Sequence, residues 1–400
     1  MKVIQINSVY GRGSTGKITK DLHEGYLKKG IDSIVIYGRG EKNNDKRVIK
    51  VCSEFYSHMN KLLSLVTGYM YGGCYFSTKK TIKIIKKEKP DIVHLQCING
   101  HFINIYKLVS WLKKNKIKTV LTLHAEFMYT ANCGHAYECE KWKTGCGNCS
   151  RFREETGSFL FDCTHKSWNK MKKAYDGFKL IKIVSCSNWI QNRSKLSPFF
   201  KNFDNITIHN GISSDLFSYM KEKTDQDILL KYGIPLNKKI ILHVTPGFEM
   251  PVKGGKYFEK LSQLLDDSYQ CIVVGAKEKI NEKIISIPFV DNQKELVAIY
   301  RGASVLVVTS VMDNYPTVCL EANCCGTPVV GFNVGGVQET IYPGMGETVC
   351  FDDLEQLKEK VVYWANSSIK TNIADGAKKY HDKSRMNDEY CKVYLFDNSN

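Results

Sequence analysis

The chain has 400 residues, 43% hydrophobic and 24% charged. It has no low-complexity tract, no repeat of solenoid period and no apolar run near the ~18 residues of a membrane span, which excludes disordered, fibrous and membrane-spanning classes and leaves room for two domains with separate cores. The net charge of +16 is uneven: residues 1–210 carry 36 Lys and Arg against 16 Asp and Glu, whereas residues 211–400 carry 21 against 25. The basic half suits an anionic membrane, nucleic acid or a phosphorylated substrate, or is a lysine-rich solvated surface. Fifteen cysteines, an odd number scattered among apolar residues such as Cys271, Cys319 and Cys324, read as reduced, buried thiols. With a start, MKVIQINSVYGRG, that reads as a strand and not a secretory leader, they predict a cytoplasmic protein.

Residues 2–9 form the first expected strand. Gly11–Thr19, GRGSTGKIT, meets the phosphate-loop pattern at Gly11, Gly16 and Lys17 but has Ile18 where a Mg²⁺-binding hydroxyl belongs. Thr19 is one residue late, about 100° around a helix, which argues against a P-loop NTPase. What remains is a glycine-rich turn, including Gly13 and Gly16, that feeds a helix over Lys17–Lys29 whose start can face an anion. Strands follow at Ile31–Tyr37, Ile92–Gln96 and Thr119–Leu123, with helical stretches over 54–88, broken at Gly72-Gly73, and over 103–116. This alternation predicts a parallel sheet with ligands beyond the strands' C-terminal ends. His124, Asn99, His101 and the Gly11–Gly16 loop are expected at that edge, with His124 a contact or acid–base group, or else a structural cap.

Residues 125–151 are an insertion in that plan. Cys133, Cys139, Cys146 and Cys149 have the spacing C-x5-C-x6-C-x2-C, and the CGNC pair has a turn able to aim two thiolates at one ion. The expectation is a structural zinc site bracing a loop, with His135 or His165 able to replace a ligand; the alternative is a loop of reduced cysteines. A helix over 158–175, a strand at Lys182–Cys186, a helix opened by Ser187, and a strand at Asn205–Ile208 complete the first half.

A second sheet starts at Ile240–Val244. The loop TPGFEMPVKGG sets Lys253 before Gly254-Gly255 and a helix over Lys256–Leu265. Strands at Cys271–Gly275 and near Val290 lead to Ala303–Thr309, a β-branched run buried on both faces. Met312–Pro316 turns into a helix over Thr317–Cys325, closed by Gly326 and followed by the strand Pro328–Phe332 and a Gly335-Gly336 loop. A strand, a loop and a helix start in this order form the layout that holds a diphosphate, and an acid within the helix can meet ribose hydroxyls. The tail, 354–395, is mostly helical.

The HNGI turn at 209–212, VKGG, DNYPTVCLEA, GTPVV and GGVQE together resemble the retaining glycosyltransferases of family 4 (group 1), over essentially the whole chain. The resemblance implies the GT-B fold: an α/β protein of two doubly wound, Rossmann-like domains facing across a cleft. The expected domains are an acceptor-binding one over 1–212, with the cysteine-bearing insertion 125–151, and a nucleotide-sugar-binding one over 213–384. A helix over 385–400 is expected to cross back to the first. The insertion resembles that of a family branch that includes polysaccharide-assembly enzymes.

The implied activity is a hexosyltransferase-type glycosyl transfer from a UDP- or GDP-sugar to a glycan or lipid-linked acceptor in surface polysaccharide assembly. Retention at the anomeric carbon is implied, with no cofactor required for catalysis. His124 and Asp313 are the implied catalytic pair. Asp313 stands where the family usually has Glu, and Ala125 stands where an acid usually follows the His, with Glu126 next to it. Lys253, Glu321, Asn314, Tyr315, Pro316, Thr317, Gly13 and Gly16 are the implied donor contacts; the family's Arg upstream of the Lys is absent, Gly247 and Phe248 standing there. The expected setting is the cytoplasm at the inner face of the membrane, with peripheral contact to anionic lipid and no nucleic acid. The alternatives are a nucleotide-sugar 2-epimerase of the same fold and a zinc-containing nucleic-acid-binding protein.

Overall fold

A computed structural model describes residues 1–220, 222–367 and 370–396. The chain divides into two compact units, Met1–His209 with the segment from Met386 onward, and Asn210–Arg385.

The first unit is a parallel sheet of β1 (Lys2–Asn7), β2 (Asp32–Tyr37), β3 (Val48–Lys50), β4 (Ile92–Leu95), β5 (Thr119–Leu123), β6 (Ile181–Ser185) and β7 (Asn205–Thr207). The order is β3-β2-β1-β4-β5-β6-β7. Its helices are α1 (Gly13–Lys28), α2 (Glu54–Thr67), α3 (Tyr75–Glu88), α4 (Ile105–Lys114), α5 (Phe127–Thr130), α6 (Phe152–Thr156), α7 (Thr164–Tyr175) and α8 (Asn188–Lys195). The central strands are short, apolar and buried on both faces, as helix-covered parallel sheets require.

The second unit starts with α9 (Asp225–Lys231) and holds the sheet β10-β9-β8-β11-β12-β13, again all parallel. Its strands are β8 (Lys239–Val244), β9 (Tyr269–Val274), β10 (Ile284–Ile287), β11 (Val305–Val308), β12 (Val329–Phe332) and β13 (Gly346–Val349). The remaining helices are α10 (Gly255–Leu264), α11 (Gln293–Gly302), α12 (Thr317–Cys324), α13 (Leu354–Ala365), α14 (Lys370–His381) and α15 (Lys383–Tyr394). Counted within its own sheet, each unit starts in the order 3-2-1-4-5-6, so the direction of winding reverses between β1 and β4 and again between β8 and β11.

Three expected elements move. The first helix starts at Gly13 and not Lys17, because Gly13 and Gly16 take the first turn, with Arg12 as its extended N-cap. Residues 158–163 lie outside the helix that begins at Thr164. The strand expected near Val290 lies earlier, at Ile284–Ile287, where the β-branched run Ile284-Ile285 pairs with Cys271-Ile272. The last helix, α15, inserts Met386, Tyr390, Val393 and Tyr394 among Val3, Leu22, Tyr26, Ile92 and Val120 of the first unit's core.

Candidate active site

The loops after β8 and β11 leave their sheet on either side of the winding reversal, where open α/β sheets bind ligands. The loop after β8 ends in a short 3₁₀ turn, Pro251–Lys253. Gly254 follows with φ +67°, and a Cβ there would lie 1.8 Å from the Thr309 carbonyl oxygen. Only glycine permits that approach. It lets Thr309 Oγ1 donate to the Gly254 carbonyl at 2.9 Å and the Val311 N–H to Val252 at 2.9 Å. The two loops are thereby clamped, and Lys253 Nζ reaches Asp313 Oδ2 at 2.5 Å, with both side chains mostly shielded.

A third loop completes the arrangement. Gly335 has φ +57°, and a Cβ would lie 2.0 Å from the Asp313 carbonyl, which accepts from the Gly336 N–H at 2.9 Å. Asn314, Tyr315 and Pro316 are buried, and Thr317 opens α12 half-buried. The first N–H groups of a helix have no partner within it, so the start of α12 is a source of donors for an anion. One turn on, Glu321 is buried and accepts from the Tyr300 hydroxyl at 2.9 Å. The structure thus gathers Lys253, Asp313, the Asn314–Thr317 segment and Glu321 at one sheet edge. Tyr300 escaped the sequence reading, because a tyrosine in an amphipathic helix looks like any core aromatic.

In the first unit, Gly11 has φ +69° and its N–H donates to the Gly16 carbonyl at 2.9 Å, closing the glycine loop at the end of β1. Gly13, also left-handed at φ +61°, has open space where a Cβ would lie, with no atom within 4 Å, whereas a Cβ on Gly16 would press on Val9 at 3.0 Å. At the end of β5, His124 Nε2 lies 2.7 Å from Gln96 Oε1. Gln96 turns its amide nitrogen to Gln5 Oε1 at 3.2 Å, so its oxygen faces the imidazole and Nε2–H donates, leaving Nδ1 as the basic nitrogen. Burial lowers the His124 pKa to about 4, so the ring is neutral near pH 7. In the sequence, Gln96 is legible only as a strand end.

Glu126 does not replace the acid missing at Ala125. It is fully buried and accepts from Arg193 Nε at 2.7 Å, from the Tyr129 hydroxyl and from the Ala136 N–H. Those bonds brace the insertion. So do Trp142, whose Nε1–H donates to the Cys139 carbonyl at 2.7 Å, and Trp168, which donates to the Trp142 carbonyl at 2.9 Å.

The zinc expectation finds no ligand set. Cys133, Cys139, Cys146 and Cys149 are free thiols, and among the described residues no group of three or more His, Cys, Asp or Glu side chains is arranged to hold a metal. Burial, then Glu155 and the thiols of Cys146, Cys149 and Cys139, raise the Cys133 pKa, and burial pushes Cys146 up to about 12, so the four thiols lie near enough to act on one another. His165 is also committed, with Nδ1 2.7 Å from the Cys146 carbonyl and Nε2 2.8 Å from Asn169 Nδ2.

Two Rossmann-like units, each an all-parallel sheet with one winding reversal, define the GT-B fold. Residues 226–380 match the family model "Glycosyl transferases group 1". The chain has the GT-B fold and is a hexosyltransferase-type enzyme whose second unit is similar to the group 1 glycosyltransferases. Enzymes of this group and fold generally need no cofactor. Among curated relatives, the chain is 20% identical over 415 residues to the "Putative colanic acid biosynthesis glycosyl transferase WcaC" of Escherichia coli, covering 98% of this chain and 99% of that protein. Among solved structures, Anabaena HepE in complex with UDP and glucose superposes with a TM-score of 0.68 at 13% identity, over 98% of this chain and 99% of that one. WaaG, a glycosyltransferase involved in lipopolysaccharide biosynthesis, gives 0.65 at 15% identity, over 99% and 100%.

Proposed function

We propose that the enzyme is a retaining, family 4 transferase that moves a sugar from a UDP- or GDP-sugar to a glycan or lipid-linked acceptor in surface polysaccharide assembly. It works in the cytoplasm at the inner face of the membrane, in peripheral contact with anionic lipid. The observation that carries this reading is the cluster at the β8/β11 reversal: a cation, Lys253, and a buried acid, Glu321, on either side of a helix start. Lys253 and the first N–H groups of α12 meet the diphosphate and stabilise the negative charge that grows on it as the glycosidic bond breaks. Glu321, aimed by Tyr300, accepts from the ribose hydroxyls. Asp313 meets the hydroxyls of the transferred sugar, one methylene shorter than a glutamate, and Gly13, Gly16 and neutral His124 serve the sugar and acceptor from the first unit. The names of the relatives, which mention colanic acid, lipopolysaccharide and UDP with glucose, support the substrate class.

The test is a thermal-shift panel of nucleoside diphosphates without Mg²⁺. UDP or GDP is expected to raise Tm, and Glu321→Ala to abolish the rise; an unchanged shift in that variant removes Glu321 from the ribose. A donor-hydrolysis screen over nucleotide sugars then identifies the sugar, and the anomeric proton coupling of the first-formed product reports retention.

A further inference from the structure

Helix α2 faces the wrong way for a soluble protein. Its buried side is polar, Ser57, Asn60 and Ser64, and its exposed side is apolar, Phe55, Met59, Leu62, Leu63 and Val66. The orientation is held by hydrogen bonds. Ser57 Oγ donates to the Gly100 carbonyl at 3.1 Å, and Asn60 Oδ1 accepts from the Cys74 N–H at 2.7 Å. The apolar ridge continues past both ends of the helix. At one end the Tyr56 ring lies 5.8 Å from Phe76, itself 71% exposed at the start of α3. At the other, a Cβ on Gly68 would lie 2.0 Å from the Phe161 carbonyl oxygen, so the exposed run Phe159-Leu160-Phe161 abuts the helix end.

The charges around this ridge are mostly basic; Asp162, next to Phe161, is engaged by the Cys149 and Thr164 N–H groups at 2.7 and 2.9 Å. Lys61 lies within it, and Lys79, Lys80 and Lys83 continue the exposed face of α3 from Phe76. Lys107 Nζ sits 4.3 Å from the Tyr75 ring centre. The one acid of α2, Glu54, is engaged by Arg39 at 2.7 Å and Lys50 at 3.0 Å.

We propose that α2, the start of α3 and residues 159–161 form the surface by which the enzyme docks on an anionic lipid bilayer. Phe55, Leu62, Leu63 and Phe159 enter the boundary between headgroups and acyl chains, and the lysines meet lipid phosphates. A bilayer fits this surface better than a protein does. Side chains that project with Phe55 77% and Phe159 72% exposed need no complementary pocket in lipid, and lysines ring the apolar side chains where a protein interface core is depleted of them. The proposal deepens, and rests on, only the membrane-contact part of the reading above.

The test is co-sedimentation of the full chain with vesicles of phosphatidylcholine alone or mixed with phosphatidylglycerol. The parent is expected to bind the mixed vesicles, less so as salt rises. Phe55→Ser/Leu62→Ser/Leu63→Ser should lower the partition coefficient at least about tenfold. Lys79→Glu/Lys80→Glu/Lys83→Glu should remove the preference for phosphatidylglycerol. Both variants should keep the parent's Tm and UDP shift, since all six positions are exposed and outside the donor site. A parent that binds neither vesicle, or a serine variant that binds as the parent does, overturns the proposal. So does a serine variant that turns a dimer into a monomer with vesicle binding unchanged, which would assign the ridge to a second copy. Vesicle binding without any UDP shift would sink the donor reading and leave this one standing.

Discussion

Lys253 and Asp313 satisfy each other at 2.5 Å, so the cation that is to meet a diphosphate already has an anion beside it. On the proposed reading, a donor competes with Asp313 for Lys253 and, in doing so, frees the carboxylate to accept from sugar hydroxyls. Removing the charge should therefore split binding from turnover. In Asp313→Asn, UDP alone is expected to bind a few-fold tighter, because the competing carboxylate is gone, while kcat with the full donor falls about tenfold or more. Calorimetry with UDP and steady-state kinetics check both halves; weaker UDP binding would mean that Asp313 orients Lys253 and does not compete with the ligand. Tyr300 offers a cleaner probe of Glu321. Tyr300→Phe keeps the ring that packs beside Phe217 and removes only the hydroxyl 2.9 Å from the carboxylate. UDP binding should weaken by about 1 kcal/mol, or fivefold, while a 2′,3′-dideoxy analogue binds parent and variant alike. Equal losses for both nucleotides would assign Tyr300 to packing.

At the scale of elements, much was legible because buried parallel strands are written in one alphabet. Thr119–Leu123 is found as read, and most other strand limits agree within two residues. Val48–Lys50 escaped because a three-residue edge strand carries too little pattern, and the start of α1 moved because a helix can begin on glycines when its first N–H groups need no internal partner. That Lys253 and Glu321 sit on a glycine loop and in a helix after buried strands was legible locally and Asp313 only through the resemblance, whereas Tyr300 and Gln96 act through neighbours far along the chain. Periodicity also gives the stripe of a helix without its destination: in α2 the apolar stripe points outward. The last helix shows the opposite case. Tyr394 bridges His94 Nδ1 at 2.6 Å and Tyr26 at 2.8 Å, and Tyr390 lies 2.8 Å from Thr122 Oγ1. With Met386 and Val393 also buried, α15 contributes on the order of 6–12 kcal/mol of apolar burial, comparable with the whole stability of a domain. A chain ending at Arg385 should fail to fold its first unit and be recovered insoluble, whereas Tyr394→Phe should remain folded with stability lower by about 1–3 kcal/mol. Soluble truncated protein with the parent's Tm would show that α15 is dispensable.

Across the whole molecule, neutral histidines are buried in both sheets. His94, on β4, is bonded through both ring nitrogens and held well below its ordinary pKa by burial and then by His124. His243, on β8, has the Val307 carbonyl 2.9 Å from Nδ1; since a carbonyl only accepts, Nδ1 carries the proton. Burial, with Lys253 adding to it, lowers its pKa to about 4 from an ordinary 6.5. His124 and His243 take up protons near 6.5 in an unfolded chain, whereas in the folded one they resist until about 4. Between those values the unfolded state binds more protons, so stability must rise with pH. The stabilising contribution is present above 6.5 and is lost as the pH falls toward 4. Glu155, whose pKa burial raises, acts in the opposite sense, so the loss of stability in the upper part of this window belongs to the histidines. Tm measured in steps from about pH 7.5 to about pH 4.5 should therefore be flat at first and then fall progressively below about pH 6.5. The fall should be seen with and without UDP, because His94 and His124 belong to the unit without the nucleotide cluster. A Tm unchanged down to about pH 4.5 would mean that these rings take up protons without unfolding, and would also remove the argument that His124 works as a neutral imidazole.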